Sequence, residues 1–345
     1  MAYTTINKSS DYFNTKLYTG NGSTNAITGV DFQPDFVWIK NRDDVHGHQL
    51  YDVIRGVTKR LSSNNTGAEA TDSTGLTSFD SDGFTVGSET AVNANTENIV
   101  AWNWLGANGT ASNTDGSITS TVSANTTSGF SIVSYTGTGA NATVGHGLGA
   151  VPKVIIIKDR TTAYGWSVYH AGVGNTAYLR LDKTDATTTD STFWQNTTPT
   201  SSVFSIGTSV LNNTNTDNHI AYCFAEKKGY SKFGSYTGNG STNGPMVYTG
   251  FKPAFLIVKR YDSTNNWYMY NNKVNPFNET NRPLKADTSE DEATIFGGNE
   301  LDFLSNGFKL KDTINGANGS GASYIYMAFA ESPFTTSTGV PTTAR

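Results

Sequence analysis

One eight-residue string occurs twice in this chain of 345 residues, and a diverged version of it lies between the two occurrences. The string YTGNGSTN at residues 18–25 recurs letter for letter at residues 236–243, and residues 135–139 read YTGTG. Internal repetition constrains the fold more than any single motif, because every copy of a repeated unit must form the same local structure.

Further landmarks recur around each copy of the string. Sixteen or seventeen residues after its tyrosine, Pro34, Pro152 or Pro253 opens an apolar run that ends in lysine. A tyrosine follows each proline by seventeen residues, and an apolar closing run lies roughly 50 residues further on, at residues 100–104, 220–224 and 325–329. We therefore predict three copies at residues 1–106, 129–229 and 230–334, a flexible linker at 107–128 and a polar C-terminal tail at 335–345.

The local pattern within each copy is that of β-strands. Val, Ile, Thr and aromatic residues dominate short runs that Gly and Asn interrupt, and no long stretch has a helical period. In the first closing run, Val100, Trp102 and Trp104 alternate with Ala101 and Asn103, as in a strand with one face on a core. The Pro-led runs are apolar throughout, which indicates strands covered on both faces. The expected fold is all-β, with three tandem β-sandwich or jelly-roll-like domains of about 100 residues.

Composition and charge exclude several classes of function. Charged residues make up only 15% of the chain and the net charge is −5, which argues against a nucleic-acid partner. No apolar window is long enough for membrane insertion or a signal peptide. The single cysteine, Cys223, excludes an intrachain disulfide, and its apolar surroundings favour a buried, inert thiol. No cofactor is expected.

Two short motifs are weak candidates for metal binding. His46 and His48 would share a face of a strand, but the second copy and the third copy have Trp166 and Trp267 where His48 lies, which favours packing.

Asp80 and Asp82 resemble the start of a calcium loop, but the glutamate of an EF-hand loop is missing, so a hairpin turn is the alternative. The Gly-rich strings precede strands, so they are turns and not phosphate loops.

Six residues are candidates for contact with a ligand or a host surface. Trp194, Trp267 and Tyr268 could stack on a glycan, although packing is the competing role for Trp267. A basic cluster of Arg55, Lys59 and Arg60 could bind an anionic glycan or a neighbouring subunit, or could simply be solvated. No acidic pair recurs among the copies and no histidine is spaced for nucleophilic catalysis, so we expect no catalytic residues and no enzyme.

Several long strings resemble one known family. They are YTGNGS, GFKPAF at residues 250–255, SNGFKL at 305–310, YIYMAFAE at 324–331, and HGHQLYD and SFDSDGF at 46–52 and 78–84. These strings look like a family of tailed-bacteriophage virion proteins, common in phages of marine bacteria, and the likeness extends from about Lys16 to Phe334. The resemblance implies a virion component of the tail region and provides no catalytic residues.

The expected function is that of a tail fibre, tail-tip or receptor-binding protein that contacts the host surface. A capsid decoration protein or head fibre is the alternative, and a virion-associated glycan-degrading enzyme is a third. The expected partners are other virion proteins, further copies of the same chain and a host-surface glycan or receptor. The protein would be assembled in the host cytoplasm and act in the extracellular particle.

Overall fold

The computed structural model describes residues 3–292 and 300–342, and these residues form an all-β protein. Almost all strand pairs are antiparallel, and the three α-helices found in the described part of the chain have only four residues each. In the described ranges, no helix has the length and apolar character needed to cross a membrane.

The first copy is a sandwich of two sheets. After a 3-10 turn (Ser9–Asp11), its elements are β1 (Phe13–Thr19), β2 (Asn25–Thr28), β3 (Phe36–Asn41), β4 (Gln49–Asp52), β5 (Lys59–Arg60), β6 (Ala70–Thr71), β7 (Leu76–Asp80), β8 (Gly83–Val86), α1 (Thr90–Asn93) and β9 (Asn98–Trp104). The larger sheet has the order β1-β9-β3-β4, and the smaller sheet has the order β2-β8-β7.

The second copy has a larger sheet of six strands. Its elements are β10 (Ala111–Asn113), β11 (Ser120–Asn125), β12 (Phe130–Thr136), β13 (Ala142–Gly145), β14 (Val154–Asp159), β15 (Ser167–His170), β16 (Ala177–Tyr178), β17 (Thr188–Thr189), α2 (Ser191–Trp194), β18 (Val203–Ile206), α3 (Val210–Asn213) and β19 (Asn218–Phe224). The larger sheet has the order β10-β11-β12-β19-β14-β15, and β13 pairs with β18.

The third copy again has two sheets. Its elements are β20 (Ser231–Thr237), β21 (Met246–Tyr248), β22 (Phe251–Arg260), β23 (Trp267–Asn271), β24 (Leu284–Lys285), β25 (Leu301–Leu304), β26 (Gly307–Leu310) and β27 (Ser323–Pro333). The sheet orders are β20-β27-β22-β23-β24 and β21-β26-β25. The opening strand, the closing strand, the Pro-led strand and the tyrosine strand therefore lie in the same order in all three larger sheets.

The segment predicted to be a flexible linker does not behave as one. Strands β10 and β11 lie within it, and β11 pairs with β12 to extend the sheet of the second copy. The side chains of Ile118 and Val122 are buried in that copy's core. These two apolar residues attach the segment to the core, although its composition is otherwise rich in Gly, Ser and Thr. The tail beyond Phe334 turns back on itself as far as the structure describes it, with Thr335 bridged to Pro341.

In each larger sheet, the closing, Pro-led and tyrosine strands are buried on both faces. In the first copy, Ile99 and Ala101 of β9 pack against that copy's smaller sheet. The alternate residues Val100, Trp102 and Trp104 face the opposite way, into a core that contains side chains of all three copies. The predicted alternation is confirmed. The Pro-led strands are apolar throughout because one face of each strand packs in the core of its own copy and the other face packs in the shared core.

The shared core is rich in aromatic rings. The ring of Trp104 lies 6.4 Å from Phe224 of the second copy and 5.7 Å from Phe329 of the third copy, centroid to centroid. Phe36 stacks on Tyr222 at 4.3 Å. The three sandwiches therefore surround one hydrophobic centre and do not form a row of separate cores.

Candidate functional site

The repeated YTG string ends the opening strand of each copy and leads into a turn held by a buried asparagine. The side-chain Oδ1 of Asn93, which is fully buried, accepts a hydrogen bond from the backbone N–H of Asn21, and its Nδ2 donates to the carbonyl of Gly87. Asn213 and Asn318 make the same pair of bonds in the other two copies. The strongest sequence motif is therefore structural, and the prediction of turns at these strings is confirmed.

The glycine in this motif is required by close backbone contact. A Cβ on Gly20 would lie 2.0 Å from the carbonyl oxygen of Ala94, and one on Gly137 would lie 2.1 Å from that of Thr214. Since no side chain fits at such distances, the glycine recurs for steric reasons.

A cycle of three hydrogen bonds joins the copies. Trp166 Nε1 donates to the Ser62 carbonyl of the first copy, and Trp267 Nε1 donates to the Arg180 carbonyl of the second, each at 2.9 Å. His48 Nε2 lies 2.9 Å from the Lys285 carbonyl of the third copy. The copies are thus linked in a closed ring, in which one ring N–H of each copy bonds its neighbour.

Hydrogen bonds within the protein occupy both ring nitrogens of His48. Its Nδ1 accepts a hydrogen bond from Trp38 Nε1 at 2.8 Å, so both ring nitrogens have protein partners. Burial, with a smaller contribution from the charge of Lys40, lowers the pKa of His48 to about 3. The hypothesis of a His46–His48 metal pair is therefore wrong, because His48 has no free nitrogen to bind a metal.

His46 lies in a different group of side chains. Its ring, one carboxylate oxygen of Asp44 and one of Glu97 are all within 4.8 Å of one another. The Glu97 carboxylate already accepts a hydrogen bond from Asn41 Nδ2, and Asp44 is exposed. These three residues are the nearest arrangement to a metal site that includes a residue predicted from the sequence.

Asp80 and Asp82 serve a hairpin and its neighbouring turn. Strands β7 and β8 pair up to Asp80 and Gly83, with a two-residue turn between them. Asp80 accepts hydrogen bonds from the hydroxyls of Ser78 and Thr85, whereas Asp82 accepts from the backbone N–H groups of Gly29 and Asp31. The two carboxylates hold separate partners, which corrects the calcium hypothesis in favour of the hairpin turn.

The penultimate residue of each Pro-led strand is a buried lysine that bonds backbone carbonyls. Lys158 Nζ donates to Asp159 at 2.7 Å and to Thr66 of the first copy at 3.4 Å, and Lys259 Nζ donates to Thr184 of the second copy at 2.8 Å. Burial lowers the pKa of each of these two lysines, and of Lys40, to about 8. Lys158 and Lys259 strengthen contacts between copies, whereas Lys40 bonds the carbonyls of Asn41 and Asp44 in its own copy.

Backbone bonds and two ion pairs complete the junctions. The Arg160 carbonyl accepts from Glu69 N–H, and the Arg160 guanidinium binds the Glu69 carboxylate through Nε at 2.9 Å and Nη2 at 3.1 Å. Arg42 and Glu292 make an equivalent pair at the junction of the first and third copies. At the third junction the same backbone bond joins Thr187 to Tyr261, without an ion pair between them.

Arg55 is not a surface residue. Its Nε contacts the Asp52 carboxylate at 2.5 Å, and both side chains are fully buried. Tyr222 of the second copy donates its hydroxyl to the same Asp52 oxygen at 2.8 Å. The expectation that Arg55 contacts a ligand is therefore corrected, because this guanidinium neutralises a buried carboxylate between two copies.

The three aromatic candidates are also interior residues. Trp194 is 1% exposed in the second copy's core, and Trp267 and Tyr268 are 3% and 7% exposed. An aromatic ring can stack on a sugar only where its face is accessible, so the structure excludes these rings as an exposed glycan platform. Packing, the alternative for Trp267, accounts for its burial and its inter-copy hydrogen bond.

A polar cleft lies at the surface of the first copy. It has a volume of about 340 Å³, and its lining includes Gln49, Arg60, Ser62 and Asn65. Arg60 Nη1 donates to Gln49 Oε1 at 3.2 Å, while Arg60 Nε is buried and has no hydrogen-bond partner among the described residues. Lys59 is next to Arg60 in the chain but outside the lining, and its ammonium donates to Thr71 Oγ1. Of the predicted basic cluster, only Arg60 faces the cleft.

Comparison with known proteins gives one result. A family model described as "Domain of unknown function (DUF7483)" matches residues 8–333. The chain belongs to this family. No curated protein and no solved structure matches it. The match begins before β1 and ends at the last residue of β27, so the DUF7483 unit spans all three copies and the ring that they form.

Sequence reasoning missed Gln49, Ser62 and Asn65, which line the cleft with Arg60. The sequence contains a signal for Ser62, which lies 28 positions after Pro34, as Arg180 lies 28 positions after Pro152. The first copy therefore has a smaller side chain than the second at this position of the repeat. Asn65 has no comparable pattern, because Asn is frequent throughout the chain, and Gln49 has no glutamine at the equivalent position of the other copies, where Ser167 and Tyr268 lie.

Proposed function

We propose that this DUF7483 protein is a non-enzymatic structural component of a tailed-phage particle, most specifically a tail fibre, tail-tip or receptor-binding protein. The observation that carries the proposal is the closed ring of three sandwiches around one aromatic core. Such an arrangement makes a rigid block, which suits a protein that transmits contact forces or presents a fixed surface.

The distribution of charged groups supports the same function. Groups that could perform acid–base chemistry, such as the buried Asp52, His48 and Lys158, are hydrogen-bonded within junctions between copies. A catalytic group must instead reach a substrate within hydrogen-bond distance. The residues with the most strongly altered environments therefore have a structural use.

The surface and the sequence strings add further support. Only 15% of residues are charged, so the outer surface depends mostly on Asn, Thr and Ser for solubility, and salt screens such a surface little. The long strings that resemble phage virion proteins extend over the same three-copy body that the family model covers.

Labelling of purified particles tests the proposal. Gold-conjugated antibody against this chain should mark one end or the fibres of the tail, and quantitative mass spectrometry should find few copies relative to the major capsid protein. Label over the whole head, with copies comparable in number to the capsid protein, would favour the decoration alternative. Absence of the chain from washed particles would overturn both assignments.

A separate assay addresses the enzyme alternative. Purified protein incubated with host-surface polysaccharide should release no reducing ends above the buffer blank. Sustained release that is proportional to protein concentration would contradict the structural proposal.

A further inference from the structure

We infer that the cleft of the first copy is a binding site for a carboxylate-bearing saccharide. As a site for a host receptor it rests on the function proposed above, but binding itself is a property of the purified chain. Five observations lead to this ligand class: the space, the unpaired cation, the free donors, the hydroxyl of Ser62 and the difference from the second copy.

The space exists because Ser62 is small. Ser62 and Arg180 are equivalent residues, because the carbonyl of each accepts the indole hydrogen bond from the next copy. In the second copy the Arg180 guanidinium lies directly over Gly165, where an added Cβ would be 1.6 Å from Nη2. At the equivalent Gly47, the nearest atom to an added Cβ is Ser62 Oγ at 3.1 Å. The first copy therefore leaves open a volume that the second copy fills with its own arginine.

The cation in the cleft has no carboxylate partner. Arg160 and Arg180 each use the Nε–Nη2 edge of the guanidinium to bind a carboxylate, Glu69 and Asp182 respectively, at 2.7–3.1 Å. Arg60 makes no such ion pair with any residue in the part of the chain that the structure describes. Because Arg60 Nε is buried, a ligand in the cleft would meet this guanidinium through its terminal Nη groups, whose edge also matches a planar carboxylate.

The remaining polar groups favour a ligand with several hydroxyls. Gln49 Nε2 donates one hydrogen to the Gly47 carbonyl and keeps a second. Asn65 accepts from Gly67 N–H through Oδ1, which leaves its Nδ2 for a ligand, and Ser62 Oγ retains its lone pairs after donating to Asn64. Donors and acceptors close to one cation suit a sugar with one acidic group.

The size and charge of the cleft narrow the choice. A volume of about 340 Å³ is near the lower end of small-ligand sites, enough for one or two sugar residues. One guanidinium matches a monoanion better than a doubly charged phosphate, which usually recruits further cations or helix N-termini. A sugar carboxylate fits both properties.

Isothermal titration with the full chain tests the inference. The probes are an oligosaccharide that ends in a uronic acid, the matched neutral oligosaccharide with CH₂OH in place of the carboxylate, and inorganic phosphate. We expect the acidic probe to bind at least about tenfold more tightly than the neutral one, as a charge-assisted hydrogen bond to a guanidinium implies.

Two variants locate the site, and a third is the control. Arg60→Gln should weaken binding of the acidic probe by at least about tenfold. Ser62→Arg should abolish binding by filling the cleft as Arg180 does in the second copy, and the melting temperature should stay close to that of the wild type. Lys59→Gln removes the same charge outside the cleft and should leave binding unchanged.

Several results would overturn the inference. They are equal affinity for the acidic and neutral probes, binding unaffected by both cleft variants, phosphate binding as tight as that of the acidic probe, or no binding of any probe. If the acidic probe binds but the chain is absent from phage particles, the proposed function fails and the site remains. If the chain is in particles but the probe does not bind, the site fails alone.

Discussion

The first and second copies build the same junction with different side chains. At the junction position, the first copy has His48 beside Trp38, whereas the second copy has Trp166 and, at the place of Trp38, Ile156. Each ring N–H nevertheless reaches a backbone carbonyl of a neighbouring copy at 2.9 Å. The first copy pairs the large Trp38 with the smaller His48, and the second copy pairs the smaller Ile156 with the large Trp166. The junction therefore keeps its side-chain volume and its hydrogen-bond donor in both copies.

This difference shows that the repeat preserves the hydrogen bond between copies and not the residue type at the acceptor position. The acceptors are carbonyl groups, which every residue supplies, so the residue that carries the acceptor is free to vary. Ser62 and Arg180 are the extreme case, because the same acceptor position has a short side chain in one copy and a long, charged one in the other. That freedom is what allows one copy to have a cleft while the ring remains closed.

The largest expected effect comes from the residues that face the shared core. Trp104→Ala in the first copy and Phe224→Ala in the second should each lower the free energy of unfolding by about 3–5 kcal/mol, as for other buried aromatic truncations. Because both side chains lie in one core, calorimetry should show a single transition for the wild type and for each variant. Two resolved transitions, with only one shifted by Trp104→Ala, would show that the copies unfold independently.

An exchange of side chains between the copies tests the volume argument. Trp38→Ile alone should cost about 1–3 kcal/mol through the space it leaves, and His48→Trp alone should cost a similar amount through overpacking. The double variant Trp38→Ile/His48→Trp recreates the pair of the second copy, so its loss should be smaller than the sum by about 0.5–3 kcal/mol. Chemical denaturation of the four proteins measures this coupling, and strict additivity would contradict the argument.

The same exchange should change the response to acid. The folded state holds the pKa of His48 at about 3, below the ordinary 6.5, so the unfolded chain binds a proton first as the pH falls. The contribution of His48 is therefore complete above pH 6.5 and declines towards pH 3, by about 2 kcal/mol at pH 5. The stability difference between wild type and the double variant should shift by this amount between pH 7 and pH 5.

Other groups with shifted pKa values act on the same pH range and are present in both proteins, and His170 and Asp35 are two examples. His170, with its pKa lowered by burial to about 4, adds to the acid sensitivity. Asp35, with its pKa raised by burial to about 6, opposes it, because the folded state takes up that proton before the unfolded chain does. Only the difference between the two proteins isolates His48, and a difference independent of pH would exclude its role.

The smallest expected effect is at the junction without an ion pair. Thr187→Val removes the hydroxyl bond to the Tyr261 carbonyl but keeps the backbone bond, so it should cost about 0.5–1.5 kcal/mol and should not depend on salt. Glu69 has the equivalent place in the first copy, and the loss caused by Glu69→Gln should diminish at high ionic strength. Equal salt dependence in both variants would show that the ion pair contributes little.

The sequence was sufficient for the strand class but not for the arrangement of the copies. Alternation at residues 100–104 and the uniformly apolar Pro-led runs predicted strands and covered faces, because those patterns follow directly from side-chain direction. The shared core did not follow, since an apolar face gives no information about which surface covers it. The linker prediction failed because Ile118 and Val122 are isolated apolar residues in a segment of otherwise loop-like composition.

The site was less predictable than the fold. Arg60 was identified through its basic neighbours, but those neighbours point elsewhere: Arg55 meets a buried carboxylate, and Lys59 meets Thr71. Adjacent strand residues face opposite ways, so a cluster in sequence is divided in space. The aromatic candidates failed for a related reason, because Trp and Tyr in a strand-rich chain can cover a core as readily as they can present a ring to solvent.

Closure of the ring has a consequence for how a gene of this kind can vary. In an open solenoid, units can be gained or lost by recombination, since each contacts only its neighbours. Here, recombination between the identical strings at residues 18–25 and 236–243 would delete the intervening chain and leave a single sandwich with its aromatic face exposed to water. A gain or loss of units would therefore expose part of the shared core, so we expect diversification to proceed by substitution in individual loops, as the contrast between Ser62 and Arg180 illustrates.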